Sequence, residues 1–250
     1  MIPTPIRQVL STIQKSGTRA LLMGGQACVF YGAAQVSKDI DFLILAEEEN
    51  FVSLHQALSL LDAQRIAIPR FDPLLLAKGH AVHFRCQAPG AEGLRVDIMT
   101  KLRHNPSFEE LWERRTVLAD DEGNVYDLLS IPDLVQAKKT QCNKDWPVIE
   151  LLVSIHYLEN QEHPRADWLE FWLMEMRSAE SLGELTRLYP EQTAQLLSRR
   201  PLLALARDHD LPALRAALDA EMRAEQEIDR QYWEPLKREM EQFRREERGA

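Results

Sequence analysis

The stretch that decides the fold is residues 20–45, ALLMGGQACVFYGAAQVSKDIDFLIL. Its apolar start, residues 20–23, predicts a buried strand that ends at Gly24-Gly25. A short helix is predicted for residues 26–33, and a second strand is predicted for residues 39–45. The order strand, diglycine, helix, strand is typical of proteins that combine a sheet with flanking helices.

Two acids at the start of the second predicted strand indicate a cation site. Asp39 and Asp41 are two residues apart, and side chains alternate along a strand, so both carboxylates are expected on one face while Ile40 turns into the core. Two neighbouring anions repel each other unless a cation lies between them. Mg²⁺ prefers carboxylate oxygens and is the ion we expect there.

The diglycine predicts an anion site beside these acids. Gly24 and Gly25 allow a phosphate to approach the backbone closely, and the free N–H groups at the start of the following helix favour negative charge. Carboxylates that hold a metal, opposite a phosphate cradle, are typical of phosphoryl or nucleotidyl transfer. The simpler alternative is an ordinary Gly-Gly turn followed by a strand edge with two exposed acids.

The pattern of Gly24-Gly25 followed by residues 37–41, SKDID, resembles the signature of the DNA polymerase β-type nucleotidyltransferase superfamily. Within it, the sequence is most similar to the AbiEii-like branch of bacterial toxin–antitoxin and abortive-infection systems. That signature commonly has an arginine two residues before a threonine or serine. This chain has Gln35 at the arginine position and Ser37 at the hydroxyl position.

The resemblance implies an α/β (α+β) fold with a small mixed sheet, flanking helices and an all-helical C-terminal domain. We predict a nucleotidyltransferase domain over residues 1–129 and a helical domain over 130–250. The resemblance also places Gly24, Gly25, Ser37 and Lys38 at the bound nucleotide.

A third carboxylate is expected from the run Val96-Asp97-Ile98, because similar enzymes carry one on the strand next to the two-acid strand. Asp97 is therefore the candidate third metal ligand. The alternative is an outward-facing, solvated Asp on an edge strand. Residues 80–99, HAVHFRCQAPGAEGLRVDIM, predict a hairpin with Asp97 on its second strand. On the first strand, His83 and Arg85 face either the same cleft or water.

Lysines of the predicted helical domain are candidates for the triphosphate. By resemblance, Lys138 or Lys139, and Lys144 supported by Asp145, bind or support the nucleotide phosphates. A lysine delivers a compact positive charge to the phosphates and to the leaving pyrophosphate. The alternative is that these are solvated lysines on helix surfaces.

Composition narrows the class of protein. The 250 residues carry a net charge of −9, which does not favour tight non-specific binding of RNA or DNA. The three cysteines show no metal-binding spacing, so free thiols are expected. No apolar run is long enough for a membrane span and no secretion signal is evident, so we expect a cytoplasmic protein without membrane contact.

The function predicted from this pattern is Mg²⁺-dependent transfer of a nucleoside monophosphate from an NTP to an acceptor. The resemblance implies two ions held by Asp39, Asp41 and Asp97, a tRNA or protein acceptor, a toxin–antitoxin or phage-defence role, and a cognate toxin or antitoxin as partner. Two alternatives stay open: a nucleotidyltransferase that modifies a small molecule such as an antibiotic, and a non-catalytic binding or regulatory module.

Overall fold

The fold is built on one mixed sheet. The computed structural model describes residues 4–103, 106–120 and 122–249. Within these residues the strands are β1 (Ala20–Met23), β2 (Asp39–Ile44), β3 (Gln64–Arg65), β4 (Val82–Arg85), β5 (Arg95–Met99), β6 (Thr116–Ala119) and β7 (Val125–Leu128). Their order across the sheet is β3-β4-β5-β2-β1-β7-β6. The pairs β2–β5 and β1–β7 are parallel, and the other neighbouring pairs are antiparallel.

Six helices are interspersed with the strands or directly follow the last one, and only helices come after them in the described residues. Those in the first part are α1 (Thr4–Lys15), α2 (Gly24–Phe30), α3 (Glu48–Leu60), α4 (Pro73–Lys78), α5 (Phe108–Glu113) and α6 (Ile131–Lys138). Those that follow are α7 (Asp145–Asn160), α8 (Ala166–Glu175), α9 (Ala179–Leu188), α10 (Pro190–Leu196), α11 (Leu203–Arg207) and α12 (Leu211–Gly249). The predicted fold class, a mixed sheet with flanking helices followed by a helical C-terminal region, is confirmed.

The chain divides into two compact units. One comprises the described residues of 1–137 together with those of 232–250, and the other comprises residues 138–231. The division predicted between residues 129 and 130 stays a prediction. The return of the last segment to the first unit has no counterpart in the sequence pattern.

The core of the first unit follows the hydrophobic periodicity of the sequence, which predicts a buried strand at residues 20–23 and a helix with one apolar stripe over residues 5–15. All four residues of β1 are buried, and so is the stripe of α1 formed by Ile6, Val9, Leu10 and Ile13. In β2 the alternation puts Ile40 in the core at 1 % exposure, while its two neighbouring acids are only partly buried. This alternation fixes which face of β2 carries the carboxylates.

The end of α12 is anchored within the first unit by charge. Glu239 pairs with Lys78, and its Oε2 lies 2.7 Å from Nε2 of the buried His80. Sequence periodicity predicts a helix that ends near Trp233, a kink at Pro235 and then a charged tail. The structure has one helix that continues through Pro235.

A buried arginine links several parts of the helical unit through hydrogen bonds. Arg200 is 2 % exposed and donates to Glu221 and to the carbonyl oxygens of Leu173 and Met176. These bonds connect α8, the loop after it and α12. Among the described residues, no helix has both the length and the apolar composition that a bilayer crossing requires.

Candidate active site

The diglycine lies directly against the two-acid strand. α2 begins at Gly24 itself, two residues earlier than the periodicity predicts. Gly24 has a φ of +65°, and a Cβ placed there would lie 2.6 Å from the carboxylate carbon of Asp41. Glycine is therefore required at this position for two reasons, the backbone conformation and the space that the Asp41 carboxylate fills.

Gly25 makes the same kind of close approach to the residues before β2. A Cβ on Gly25 would lie 2.7 Å from Oγ of Ser37, and that hydroxyl donates to the carbonyl oxygen of Asp39 at 2.9 Å. Ser37 is thus a structural link between the diglycine and the start of β2. Its predicted contact with a nucleotide, like that of the exposed Lys38, stays a prediction.

The sheet register brings the three predicted acids to one face. β2 and β5 are parallel, with Asp41 opposite Asp97 and Asp39 opposite Arg95. Opposed residues on neighbouring strands point to the same face and are separated by about 4.8 Å between strands. Asp39, Asp41 and Asp97 therefore lie together, and Gly24 contacts this group through Asp41.

Asp97 is buried and fully engaged. Arg95 donates to it through two parallel bonds, Nε to Oδ1 and Nη2 to Oδ2, both at 2.8 Å. The His83 Nδ1 also lies 2.8 Å from Oδ1. Because Asp97 is 7 % exposed and β5 is paired on both sides, the alternative of a solvated Asp on an edge strand is wrong.

The tautomer of His83 follows from its neighbours. Its Nδ1 is close to Oδ1 of Asp97 and lies 3.0 Å from Nη2 of Arg95. A guanidinium offers only donors, so Nδ1 either donates to the carboxylate or accepts from Arg95. Donation to Asp97 gives the bond to a charged acceptor and is the assignment that we adopt. His83 thus faces the acidic group, whereas Arg85 is exposed.

Electrostatics link Arg95 to all three acids. Burial alone would raise the pKa of Asp97, but hydrogen bonds from His83 and Arg95, together with the positive charge of Arg95, lower it overall. The pKa of Arg95 is raised, first by its hydrogen bond to Asp97 and then, against the effect of burial, by the negative charges of Asp97, Asp39 and Asp41. One guanidinium thus faces three carboxylates.

The acids fit a hard divalent cation only in part. Asp39 and Asp41 supply partly exposed carboxylate oxygens on one face, which is the ligand type that Mg²⁺ prefers. Both oxygens of Asp97 are already bonded to Arg95. Across residues 4–103, 106–120 and 122–249, no group of three or more Asp, Glu, His or Cys side chains is arranged to hold a metal ion. Asp39 and Asp41 fit an ion in this arrangement, and the role of Asp97 as a third metal ligand stays a prediction.

The predicted lysines belong to the second compact unit, residues 138–231. Lys138 Nζ lies 2.7 Å from Oδ1 of Asp145, whose other oxygen accepts from Thr140. Lys139 pairs with Glu175 at 2.8 Å, and Lys144 is exposed. The pairing of Lys138 with Asp145 connects two of the predicted residues. Their roles toward a nucleotide stay predictions.

Arg95 is the site residue that sequence reasoning missed. The signal was present, because Arg95 precedes Asp97 by two residues, the same spacing that groups Asp39 with Asp41 on one face. The bidentate bond was not predictable from spacing alone, since it depends on the rotamers of both side chains.

Comparisons with known proteins give little further information. No protein family matches the sequence, and no curated protein matches it. Among solved structures, the chain is similar to the solution structure of the antibiotic-resistance factor ANT(2'')-Ia, with a TM-score of 0.35 and 13% sequence identity. The matched region covers 78% of this chain and 95% of that one.

Proposed function

We propose that this protein is a Mg²⁺-dependent nucleotidyltransferase that moves a nucleoside monophosphate from an NTP to an acceptor. The observation that carries the proposal is the convergence of Gly24, Asp41, Asp39 and Asp97 at one place in the sheet. Three carboxylates and one guanidinium on one sheet face carry a net negative charge, and a grouping of charged residues of this kind is typical of a ligand site.

In the proposed reaction, an acceptor hydroxyl attacks the α-phosphorus of the NTP. The new bond joins the acceptor oxygen to that phosphorus, the bond to the β-phosphate bridging oxygen breaks, and pyrophosphate leaves. Asp39 and Asp41 would hold the divalent ion, and a bound ion would supply neutralisation of phosphate charge and a lower pKa for the attacking hydroxyl. Asp97 lies opposite Asp41 and holds Arg95 at the same face.

The other predicted residues would bind the nucleotide. Gly24 keeps the backbone close to the Asp41 carboxylate, and the first turn of α2 has no side-chain cap from Met23. We expect Gly24, Gly25, Ser37 and Lys38 at the triphosphate. We expect Lys138 and Lys144 to contribute positive charge to the phosphates.

The net charge of the chain bears on which class of acceptor we propose. A net charge of −9 disfavours a polyanionic acceptor without a local basic surface, so a protein or a small molecule is favoured over tRNA. A small-molecule acceptor, as for an antibiotic-modifying enzyme, is the second candidate function on the same ground. A role in a toxin–antitoxin or phage-defence system, with a cognate toxin or antitoxin as partner, is proposed from the sequence resemblance only.

Transfer of radiolabel tests the proposal directly. The protein is incubated with each NTP labelled at the α-phosphate, Mg²⁺, and in turn total tRNA, cell lysate or an aminoglycoside mixture. We expect label on one acceptor class. In Asp39→Asn and Asp41→Asn, transfer should fall by a factor of about 100 or more, because these carboxylates would hold the ion.

The matched control for these variants is Asp62→Asn. Asp62 is an exposed aspartate with a φ of +44°, a conformation that asparagine also accepts readily. It should transfer label at the rate of the unmodified protein. Equal transfer by Asp41→Asn and Asp62→Asn, or no label on any acceptor, would contradict the proposed function.

A further inference from the structure

We propose that Arg95 is a positioning residue that competes with divalent cations for Asp97, so that the acidic face of the free protein binds an ion through Asp39 and Asp41 alone. The inference rests on the proposed function in one respect, that this face binds a divalent cation. It adds that the third carboxylate is withheld by a side chain of the protein itself.

The first support is geometric. Arg95 and Asp97 make two parallel bonds of 2.8 Å each, so both carboxylate oxygens have a donor. The His83 Nδ1 supplies a further donor to Oδ1. A carboxylate that accepts three bonds has few lone pairs left for a metal, and a metal would have to displace Arg95 before using it.

The second support is the position of the guanidinium charge. Arg95 is opposite Asp39 on the parallel strand and two residues from Asp97 on its own strand, so its side chain starts from the acidic face. The charges of Asp39 and Asp41 both act on the Arg95 guanidinium. A positive charge placed among these acids reduces the attraction of the face for any second cation.

The third support is that the positive charge of Arg95, which competes with a cation for Asp97, is present at every working pH. A guanidinium does not lose its proton under working conditions, so Arg95 carries its charge in every state of the site. Its side chain is 36% exposed, whereas that of Asp97 is 11% exposed. Arg95 is therefore the member of the pair that has room to move aside.

Removal of the Arg95 charge is expected to create stronger cation binding. In Arg95→Gln, we expect Mn²⁺ to bind about tenfold more tightly than in the unmodified protein, because one nearby positive charge is lost and Asp97 becomes available. The number of bound ions should rise from one to two. Mn²⁺ is the probe, without nucleotide, and free Mn²⁺ is counted by electron paramagnetic resonance during a titration.

Arg85→Gln is the matched control for the loss of charge. Arg85 is opposite Arg95 on the neighbouring strand, so both start from the same face, but Arg85 is exposed. This variant should bind Mn²⁺ within about twofold of the unmodified protein, since an exposed charge is screened by solvent. A gain in Arg85→Gln as large as that in Arg95→Gln would overturn the proposal, because any positive charge would then have the same effect.

The double variant Arg95→Gln with Asp97→Asn tests the route of the effect. It should lose the second ion and most of the gain in affinity, because the gain depends on the freed carboxylate. If the gain persists without Asp97, the proposal is wrong. Unchanged or weaker Mn²⁺ binding in folded Arg95→Gln would also overturn it.

A further variant keeps the positive charge but not the bidentate bond, and circular dichroism checks that each variant is folded. Arg95→Lys keeps the charge but has a single nitrogen in place of the bidentate fork. It should bind Mn²⁺ more tightly than the unmodified protein and less tightly than Arg95→Gln, and binding equal to that of the unmodified protein would contradict the proposal. Failure of label transfer with these binding changes intact would count against the enzyme reaction only.

Discussion

The acidic face of the sheet and the ion network of the helical unit use arginine in opposite ways. In the helical unit, Arg200 is buried and its donors end on Glu221 and two backbone carbonyls. Burial alone would raise the pKa of Glu221, but the hydrogen bond and charge of Arg200 lower it overall. On the sheet, the half-exposed Arg95 faces three carboxylates.

The difference separates a structural role from a functional one. Buried charges that are fully paired remain in place because the removal of either partner leaves the other without compensation. A surplus of charge on an accessible face has no such benefit to folding, and it suits a ligand of opposite charge. We expect substitutions in the helical network to affect stability and those on the sheet face to affect ligand binding and transfer.

The largest expected effect is on stability, in Arg200→Met. Loss of the guanidinium leaves Glu221 with Arg177 as its remaining partner and removes a buried donor from the carbonyls of Leu173 and Met176, so the free energy of unfolding should fall by about 3–5 kcal/mol. Urea unfolding followed by circular dichroism measures it. The control is Arg199→Met, whose side chain is exposed and pairs with Glu170 at the surface, and which should change stability by less than about 1 kcal/mol. Similar losses in the two variants would break the comparison.

The next effect is on transfer, in Gly24→Ala. The added Cβ would collide with the Asp41 carboxylate, so we expect transfer of label to fall by a factor of about 100, or about 2.7 kcal/mol in the barrier. Gly17→Ala is the matched control, because Gly17 also has a positive φ, of +78°, but nothing lies within 4 Å of its Cβ position. Both should lose about 1–2 kcal/mol of stability from the backbone strain. Transfer should fall only in Gly24→Ala, and an equal fall in both would assign the loss to strain alone.

A smaller effect is expected in the acid dependence of stability. The pKa of Asp97 is lowered in the folded protein, so its ionised form contributes stability above its ordinary pKa of 3.8, and that contribution is lost as the pH falls through the lower folded value. Asp97→Asn should therefore show a weaker decline in stability below about pH 4 than the unmodified protein. Acid titration of unfolding, with Asp62→Asn as control, checks this. An identical decline in Asp97→Asn would mean that the Arg95–Asp97 pair contributes nothing to folding.

The smallest effect tests whether the helical unit also serves ligand binding. In Lys144→Ala, the KM for NTP should rise about threefold with unchanged stability, because an exposed lysine would attract phosphate without supporting the fold. Steady-state transfer at varied NTP concentration measures it, and Lys15→Ala, another exposed lysine, is the control. If the KM of Lys144→Ala equals that of the control, Lys144 does not contribute to NTP binding and this prediction is wrong.

Local patterns predicted the parts of the molecule that depend on neighbouring residues. The period of two along β2 placed Asp39 and Asp41 on one face with Ile40 in the core, and the hydrophobic spacing predicted α1 and its buried stripe. The start of α2 was predicted two residues late, because the glycines that lower helix propensity are tolerated there by close packing against β2. Such boundaries depend on tertiary contacts.

The sequence by itself determined the shared face and the identity of the two acids, since these follow from side-chain alternation and from residue chemistry, and its resemblance to a known superfamily implied the fold class. Only the tertiary structure decided that Asp97 lies opposite Asp41, that Arg95 occupies its carboxylate, and that Glu239 returns to His80. Strand register and contacts between distant residues are set by the packing of the whole core, which no local period encodes.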